Sequence, residues 1–401
     1  LEMLGHETEI DWLDLGGTSD AMRFVKSEFS RTPSGIGIDL FFGGGVDPFL
    51  NFSEEGLLET YKVSDSVLQN VPQRFAGIDV YDPDYTWYGA CLSGFGIIYN
   101  RQVLDFIRMP APSSWDDLGD SKYYSWVGSG DPRSSGSVHM VYEIILQAYG
   151  WEQGWSNILR MGGNIKGFSR SASEVPKDTA LGEVSCGLAI DVYAWRQISE
   201  AGEERMGFCL PEGMTIVNPD GIGILKGAPE LDLAKAFLEF VLSDKGQKLF
   251  CFKAGTDGGP TKFELGRIPV MSGLSESAGD NLLVKFDPGE WKSGFVYDAA
   301  KGSKRWTILN DLIGAFIIDT HFELARAWRV AMTLPESDPR RVQLLTPPLT
   351  EEELMKFADG QWNEPAFRAS NVSAWTVKAK NLYRNITSSK ILSEPQNMSQ
   401  R

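Results

Sequence analysis

Two stretches of this chain join small hydroxyl residues and glycines to the start of a helix. One is Asp131-Pro-Arg-Ser-Ser-Gly-Ser137, which feeds Val138, Val141, Ile144, Ile145 and Ala148 onto one helical face. The other is Gly16-Gly-Thr-Ser19, inside Asp14–Asp20, which feeds Ala21, Met22, Phe24, Val25 and Phe29 at helical spacing. The first turn of a helix leaves backbone N–H groups unpaired and carries a partial positive charge. Small residues let a ligand approach that backbone, so each start suits an anion. Capping needs only one hydroxyl residue, and for either site alone it is the simpler reading. Two matching starts on one chain point to two jaws around one small polar ligand.

Other residues carry two readings each. Gly43-Gly-Gly45 follows an apolar run, so Gly44 and Gly45 offer backbone to a ligand or form a tight turn. Trp87 and Tyr88 form an aromatic wall or pack within a core. His139 and Glu143 have a four-residue spacing that can bind metal, but a second histidine is missing. A solvated or loosely paired helix face is the simpler expectation, and no metal site is expected. Asp116 and Asp117 read as turn and cap residues before Leu118. No nucleophile elbow, phosphate loop or dinucleotide fingerprint occurs, and no acid, base and nucleophile assemble. The chain reads as a binder with no cofactor, not as an enzyme.

The bulk properties set limits. A chain of 401 residues buries a large core and is expected to form two lobes. Its 42% hydrophobic and 23% charged content is ordinary for a globular protein. A net charge of −16 argues against nucleic acid and anionic membrane as partners. It does not forbid a local anion site, because helix starts act at short range. No apolar run approaches the ~20 residues that span a bilayer. The opening residues, Leu1 to Glu9, lack the basic and apolar regions of a signal peptide. Cys91, Cys186, Cys209 and Cys251 show no zinc spacing. Buried free thiols are expected, with a Cys186–Cys209 disulfide as the alternative in an oxidising compartment.

Short apolar runs alternate with helical stretches, which predicts an α/β fold. Strands are expected at Ile36–Phe42, Phe95–Tyr99, Tyr124–Val127, Val184–Ile190 and Ile222–Leu225. A helix is expected over Leu231–Leu242, and helices dominate from Trp306 onward. Thr350-Glu-Glu-Glu353 reads as a capped helix start, and the tail after Asn385 reads as frayed. Polar and glycine-rich elements follow several strand ends, the edge at which open α/β sheets bind ligands.

The chain resembles the type 2 periplasmic solute-binding proteins of ABC importers, in the branch with ferric-iron-binding and phosphorylated-solute-binding members. The residues that carry the likeness are Gly16–Ser19, Asp39–Gly45, Leu92–Arg101 and Pro112–Leu118. They continue with Asp131–Ser137, Gly182-Glu183, Ala189–Tyr193, Pro219-Asp220 and Ala234–Gly246. The resemblance implies a two-lobed clamshell with extra C-terminal helices. Lobe one takes residues 1–100 and 218–265, and lobe two takes 101–217 and 266–401. The hinge lies near 94–99 and 218–224.

It further implies that Ser135, Gly136 and Ser137 hold phosphate or a similar anion from lobe two. Thr18 and Ser19 donate from lobe one, and Ser173 belongs to the same family site. Asp191 and Tyr193 orient the rest of the ligand. Iron-binding members have two adjacent tyrosines where this chain has Tyr193 and Ala194. The missing phenolate favours a small organic or phosphorylated anion over ferric iron, which wants several oxygen donors. The family usually opens with an extra strand and helix ahead of Glu9–Trp12, and this sequence departs from that pattern. The implied role is extracytoplasmic capture of an anionic solute by a monomer, for an ABC permease in the inner membrane. Periplasmic placement or a lipid anchor both fit that role. The rivals are a ferric-iron carrier that uses a synergistic anion, a ligand-sensing subunit of a two-component receptor, and an enzyme on the same scaffold.

Overall fold

The computed structural model describes residues 9–13, 15–274, 279–284, 291 and 294–388. The expectations for residues 1–8, for Asp14 and for the tail beyond Ser388 lie outside the described residues. The helices are α1 (Thr18–Arg31), α2 (Asp47–Glu54), α3 (Asp65–Leu68), α4 (Arg101–Ile107), α5 (Gly136–Tyr149), α6 (Trp151–Asn164), α7 (Glu174–Leu181), α8 (Asp191–Ala201), α9 (Leu231–Leu242) and α10 (Asp244–Cys251). A C-terminal set follows: α11 (Ala299–Ile313), α12 (His321–Ala331), α13 (Pro339–Leu344), α14 (Glu351–Ala358) and α15 (Pro365–Ser388). The strands are β1 (Leu40–Phe42), β2 (Arg74–Phe75), β3 (Ile78–Asp79), β4 (Tyr88–Asn100), β5 (Val127–Gly130), β6 (Ile165–Ser169), β7 (Cys186–Ile190), β8 (Met206–Cys209), β9 (Val217–Ile224) and β10 (Ile268–Pro269).

The main sheet runs β1-β9-β4-β7-β5-β6, with β8 and β10 also paired to β4. It is mixed: β5 lies parallel to β6 and β7, whereas β4 is antiparallel to its neighbours. All thirteen residues of β4 are buried, as expected of a strand covered on both faces. Its first half pairs with β9 and β10, and its second half with β7 and β8. One long strand therefore serves two sets of neighbours.

Several boundaries move from the sequence expectation. The expected strand Ile36–Phe42 shrinks to Leu40–Phe42, because only these residues meet Ile222–Ile224 of β9. The third expected strand shifts to Val127–Gly130, since Trp126 is held in a turn by Tyr123. The Leu231–Leu242 helix is as expected. At Thr350 a full capping box starts α14, which satisfies two end donors reciprocally. Helix α15 continues past Asn385 to Ser388.

All four cysteines are free. Cys209 and Cys186 pair with Ile97 and Tyr99 on opposite edges of β4. Two strand spacings of about 4.8 Å put them beyond the ~7 Å reach of a disulfide.

The His139–Glu143 face is neither solvated nor loosely paired. Both side chains are fully buried. The Arg305 guanidinium grips Glu143 through Nε and Nη2 at 2.7–3.1 Å. His139 lies tilted against Trp306 with ring centroids 3.7 Å apart, and its Nδ1 lies 2.7 Å from Asn310 Oδ1. The C-terminal helices cover this face, which its local sequence does not reveal. Among the described residues, no group of three or more His, Cys, Asp or Glu could hold a metal ion.

Candidate functional site

The two hydroxyl-rich helix starts meet. A Cβ added to Gly17 would overlap the Ser134 carbonyl, and one added to Gly136 would lie 2.7 Å from Thr18 Cβ. These glycines are required by the close approach of α1 to α5. Ser19 Oγ donates to the Pro132 carbonyl at 3.1 Å, and Arg23 Nη1 donates to that of Arg133 at 2.7 Å. At α5, Ser135 is the N-cap and its hydroxyl accepts from Val138 N at 3.4 Å. The amides of Gly136 and Ser137 are first-turn donors, which have no acceptor within the helix. Thr18, Gly136 and Ser137 border one cavity of about 780 Å³.

The Gly43–Gly45 turn continues the wall. Its three residues have φ of 95°, 98° and 77°, a region that side chains disfavour. A Cβ on Gly44 would overlap the Thr18 methyl group. Gly45 N donates to Asp220 Oδ1 at 2.9 Å. Tyr193, in the first turn of α8, also borders the cavity and is 37% exposed. Its neighbour Ala194 is fully buried.

The cavity floor comes from β4 and β9. Asn218 sits opposite Ser93, and Asp220 opposite Cys91. Residues two apart on a strand share a face, so Asn218 and Asp220 point the same way. Pro219, between them, lies beyond the end of β1, where one edge of β9 has no strand to bond. Arg267 Nη1 donates to Ser93 Oγ at 2.9 Å and lies 3.2 Å from Asp220 Oδ2. Arg267 is the only cation among the described residues lining the cavity. Asn218 is fully buried, and neither polar atom of its carboxamide has a partner. An unpaired buried polar group costs ~1–3 kcal/mol, so the floor carries unused hydrogen-bonding capacity.

Six of the expected site residues line this cavity: Thr18, Gly44, Gly45, Gly136, Ser137 and Tyr193. Five others are placed elsewhere. Ser19 is buried between the Pro132 carbonyl and Trp306 Nε1. Trp87 is 1% exposed and packs on Phe49, so the core reading holds for it and for the equally buried Tyr88. The Ser135 hydroxyl is spent on the cap. Ser173 starts α7 and shares a hydrogen bond with Ser171 at 2.9 Å. Asp191 accepts from Gly94 N at 2.9 Å and Val192 N at 2.6 Å, tying β4 to the start of α8. Burial raises its carboxyl to about 6.

Ser93, Asn218, Asp220 and Arg267 were not expected as cavity residues. Asn218-Pro-Asp-Gly221 has the composition of a turn, and only the period-two spacing of Asn218 and Asp220 hints at a strand face. Nothing local marks Arg267, which reaches Ser93 across 174 residues of chain.

Residues 35–259 match the profile of a family described as bacterial extracellular solute-binding protein. The chain belongs to that family. It is a family of binding proteins, in keeping with the reading of a binder and not an enzyme. The phosphoglycerate transport regulatory protein PgtC of Salmonella typhimurium is 30% identical over 164 residues, covering 41% of this chain and 40% of that protein. The matched region thus spans about two fifths of that relative's length. Iron uptake protein A1 of Synechocystis is 26% identical over 250 residues, 58% of this chain and 63% of the relative. Among solved structures, the periplasmic binding protein AfuA of Actinobacillus pleuropneumoniae, with fructose-6-phosphate bound, gives a TM-score of 0.61 at 21% identity. That match covers 80% of this chain and 89% of AfuA. The apo ferric ion-binding protein A of Pasteurella haemolytica gives 0.59 at 16% identity, covering 78% and 90%. These likenesses establish the α/β periplasmic-binding-protein fold with mixed sheet, to which this chain adds several C-terminal helices.

Proposed function

We propose that this chain is the solute-capturing component of an ABC importer and closes two lobes around a small phosphorylated anion. The observation that carries the reading is the convergence of two helix starts and one paired arginine on a single cavity. The amides of α1 and α5, with the Thr18 and Ser137 hydroxyls, supply donors for phosphate oxygens. Arg267 supplies positive charge in a region shielded from water, where it acts more strongly than at the surface. Asn218 and Asp220 offer a donor and acceptors to hydroxyls on the rest of the solute. Tyr193 supplies a further hydroxyl.

The two-lobed reading is supported by β4, whose halves pair with different strands. It places the hinge near 94–99 and 218–224. Residues 266–270 join lobe one under this reading, because β10 pairs with Cys91 and Leu92. The family supports an extracytoplasmic setting and an ABC permease as partner.

Calorimetric titration with fructose 6-phosphate and with phosphoglycerate tests the reading. Ser137→Ala is expected to weaken binding of the recognised solute tenfold, about 1.4 kcal/mol. Equal affinity in the variant and the parent would overturn the assignment. A ferric-iron carrier is the rival that the iron-uptake relatives suggest, but this chain offers one phenol where a pair would be needed. Adding ferric iron with phosphate is expected to give no charge-transfer colour. A strong band would favour the rival.

A further inference from the structure

We propose that Arg133 is a positioning residue of the anion cradle, through which the C-terminal helices fix the loop that starts α5. The proposal rests on the phosphate-binding reading of that cradle given above. Neither Arg133 nor Asp319 is among the described residues that line the cavity, so both act through the loop and not on the solute. The Arg133 guanidinium holds two carboxylates at once. Its Nε lies 3.0 and 3.1 Å from the two Asp131 oxygens, and Nη2 donates to Asp131 Oδ2 at 2.7 Å. Nη1 and Nη2 donate to the two oxygens of Asp319 at 2.9 Å each. A side chain that is 30% exposed gains little from a loose ion pair. Two forked pairs in one plane fix its orientation as well. Asp131 passes that orientation to the loop. Its Oδ1 accepts from Arg133 N at 2.9 Å, and its carbonyl accepts from Ser134 N and Ser135 N at 3.0 Å. The next two residues are Gly136 and Ser137, whose amides are the phosphate donors in that reading.

Asp319 is a fixed point for the loop. It follows a π-helical turn, Gly314–Ile318, between α11 and α12, and its N–H closes that turn on the Gly314 carbonyl at 2.8 Å. Such turns are rare and frequent at functional sites. A Cβ added to Gly314 would lie 2.7 Å from Arg133 Nη1, so a glycine here lets the guanidinium lie against the turn. The turn is itself tied down. Tyr383 OH of α15 donates to the Phe316 carbonyl at 2.7 Å, and Ile317 packs over Gly162 of α6. The loop's other anchors are the Asp131 N–H on the Ser169 carbonyl of β6 and the contacts of Ser19 and Arg23 from α1. Helix α1 lies in the other lobe under the two-lobed reading, so its contacts part when the cleft opens. The Arg133–Asp319 pair stays and keeps the cradle shaped for solute before closure. A site shaped in advance loses less binding energy to ordering.

Calorimetry with fructose 6-phosphate and with phosphoglycerate tests this on the full chain, beside thermal melts and hydrogen exchange of the solute-free protein. Arg133→Gln is expected to weaken binding roughly tenfold and Asp319→Asn roughly threefold, with the melting midpoint of Asp319→Asn at the parent's. The amides of residues 133–137 should exchange faster in both variants, while those of α6 keep the parent's rates. Arg133→Lys keeps the charge without the fork and should bind no better than Arg133→Gln. Parental affinity in Arg133→Lys or in Asp319→Asn would overturn the inference and leave the proposed function standing. A loss of stability with affinity unchanged would do the same. A parent that binds neither solute would overturn the proposed solute class and this inference with it.

Discussion

Arg267 and Arg305 are both arginines held by a carboxylate in the interior, and their surroundings differ. Arg305 is 1% exposed, and both it and Glu143 are enclosed by helices α5, α11 and α14. Arg267 is 24% exposed at its side chain, and it borders a cavity together with Asp220 and Ser93. Around Arg305 the polar groups mostly answer one another. Around Arg267 the neighbouring Asn218 has nothing to answer it. A satisfied buried pair holds a fold together, whereas an unsatisfied group beside open volume is available to a ligand.

The most severe test of this contrast is Arg305→Ala. It leaves Glu143 buried and uncompensated, at a cost of about 3–5 kcal/mol. Denaturant unfolding should show that loss, and solute affinity of the folded fraction should stay within threefold. A loss of affinity without a loss of stability would erase the distinction.

His139 sharpens the contrast through pH. Burial pushes its imidazole down to about 4, against about 6.5 in an unfolded chain. The unfolded state therefore binds the extra proton as pH falls from about 6.5 to 4. Stability present above about 6.5 is lost across that window, up to about 3 kcal/mol. Unfolding curves at several pH values should show this slope, and His139→Gln should flatten it. An unchanged slope in the variant would assign the acid sensitivity elsewhere.

Arg267→Met approaches the contrast from the cleft. A hydrogen bond to a charged group contributes about 1.5–3 kcal/mol, so affinity for a phosphorylated solute should fall roughly ten- to hundredfold. The unfolding midpoint should move less than in Arg305→Ala, because Asp220 keeps the Gly45 amide and some solvent. A larger stability loss than that of Arg305→Ala would make Arg267 structural.

The smallest effect separates two serines with one glycine between them. Ser135→Ala removes the α5 cap and should cost about 1 kcal/mol of stability. Its effect on solute affinity should be smaller than that of Ser137→Ala. The reverse ranking in paired calorimetry and thermal melts would exchange their roles.

Much of the fold could be read locally. The helix starts at Thr18 and Gly136, the Leu231–Leu242 helix and the Thr350 capping box follow from periodicity and from groups within four residues. Thr18, Gly136 and Ser137 were legible for the same reason: the chemistry of a helix start is written in its own first turn, whereas Gly44 and Gly45 showed as a glycine turn and Tyr193 came from the family resemblance. Ser135 and Ser19 share that composition but face away from the cavity, and the composition does not say which hydroxyl is spent on a cap or a neighbour. Trp87 shows the same limit, since an aromatic beside a strand packs inward or outward according to what covers it.

By itself, the sequence determined the element types, the glycine-rich turns and the hydroxyl-bearing helix starts, because short-range backbone sterics and hydrogen bonding decide these. Only the tertiary structure decided that the two starts abut. Chain folding alone brings Arg267 to Ser93 and lays Arg305 across Glu143, 162 residues apart. Burial and charge pairing depend on which distant segments exclude water from a group, and no local window of residues contains that information.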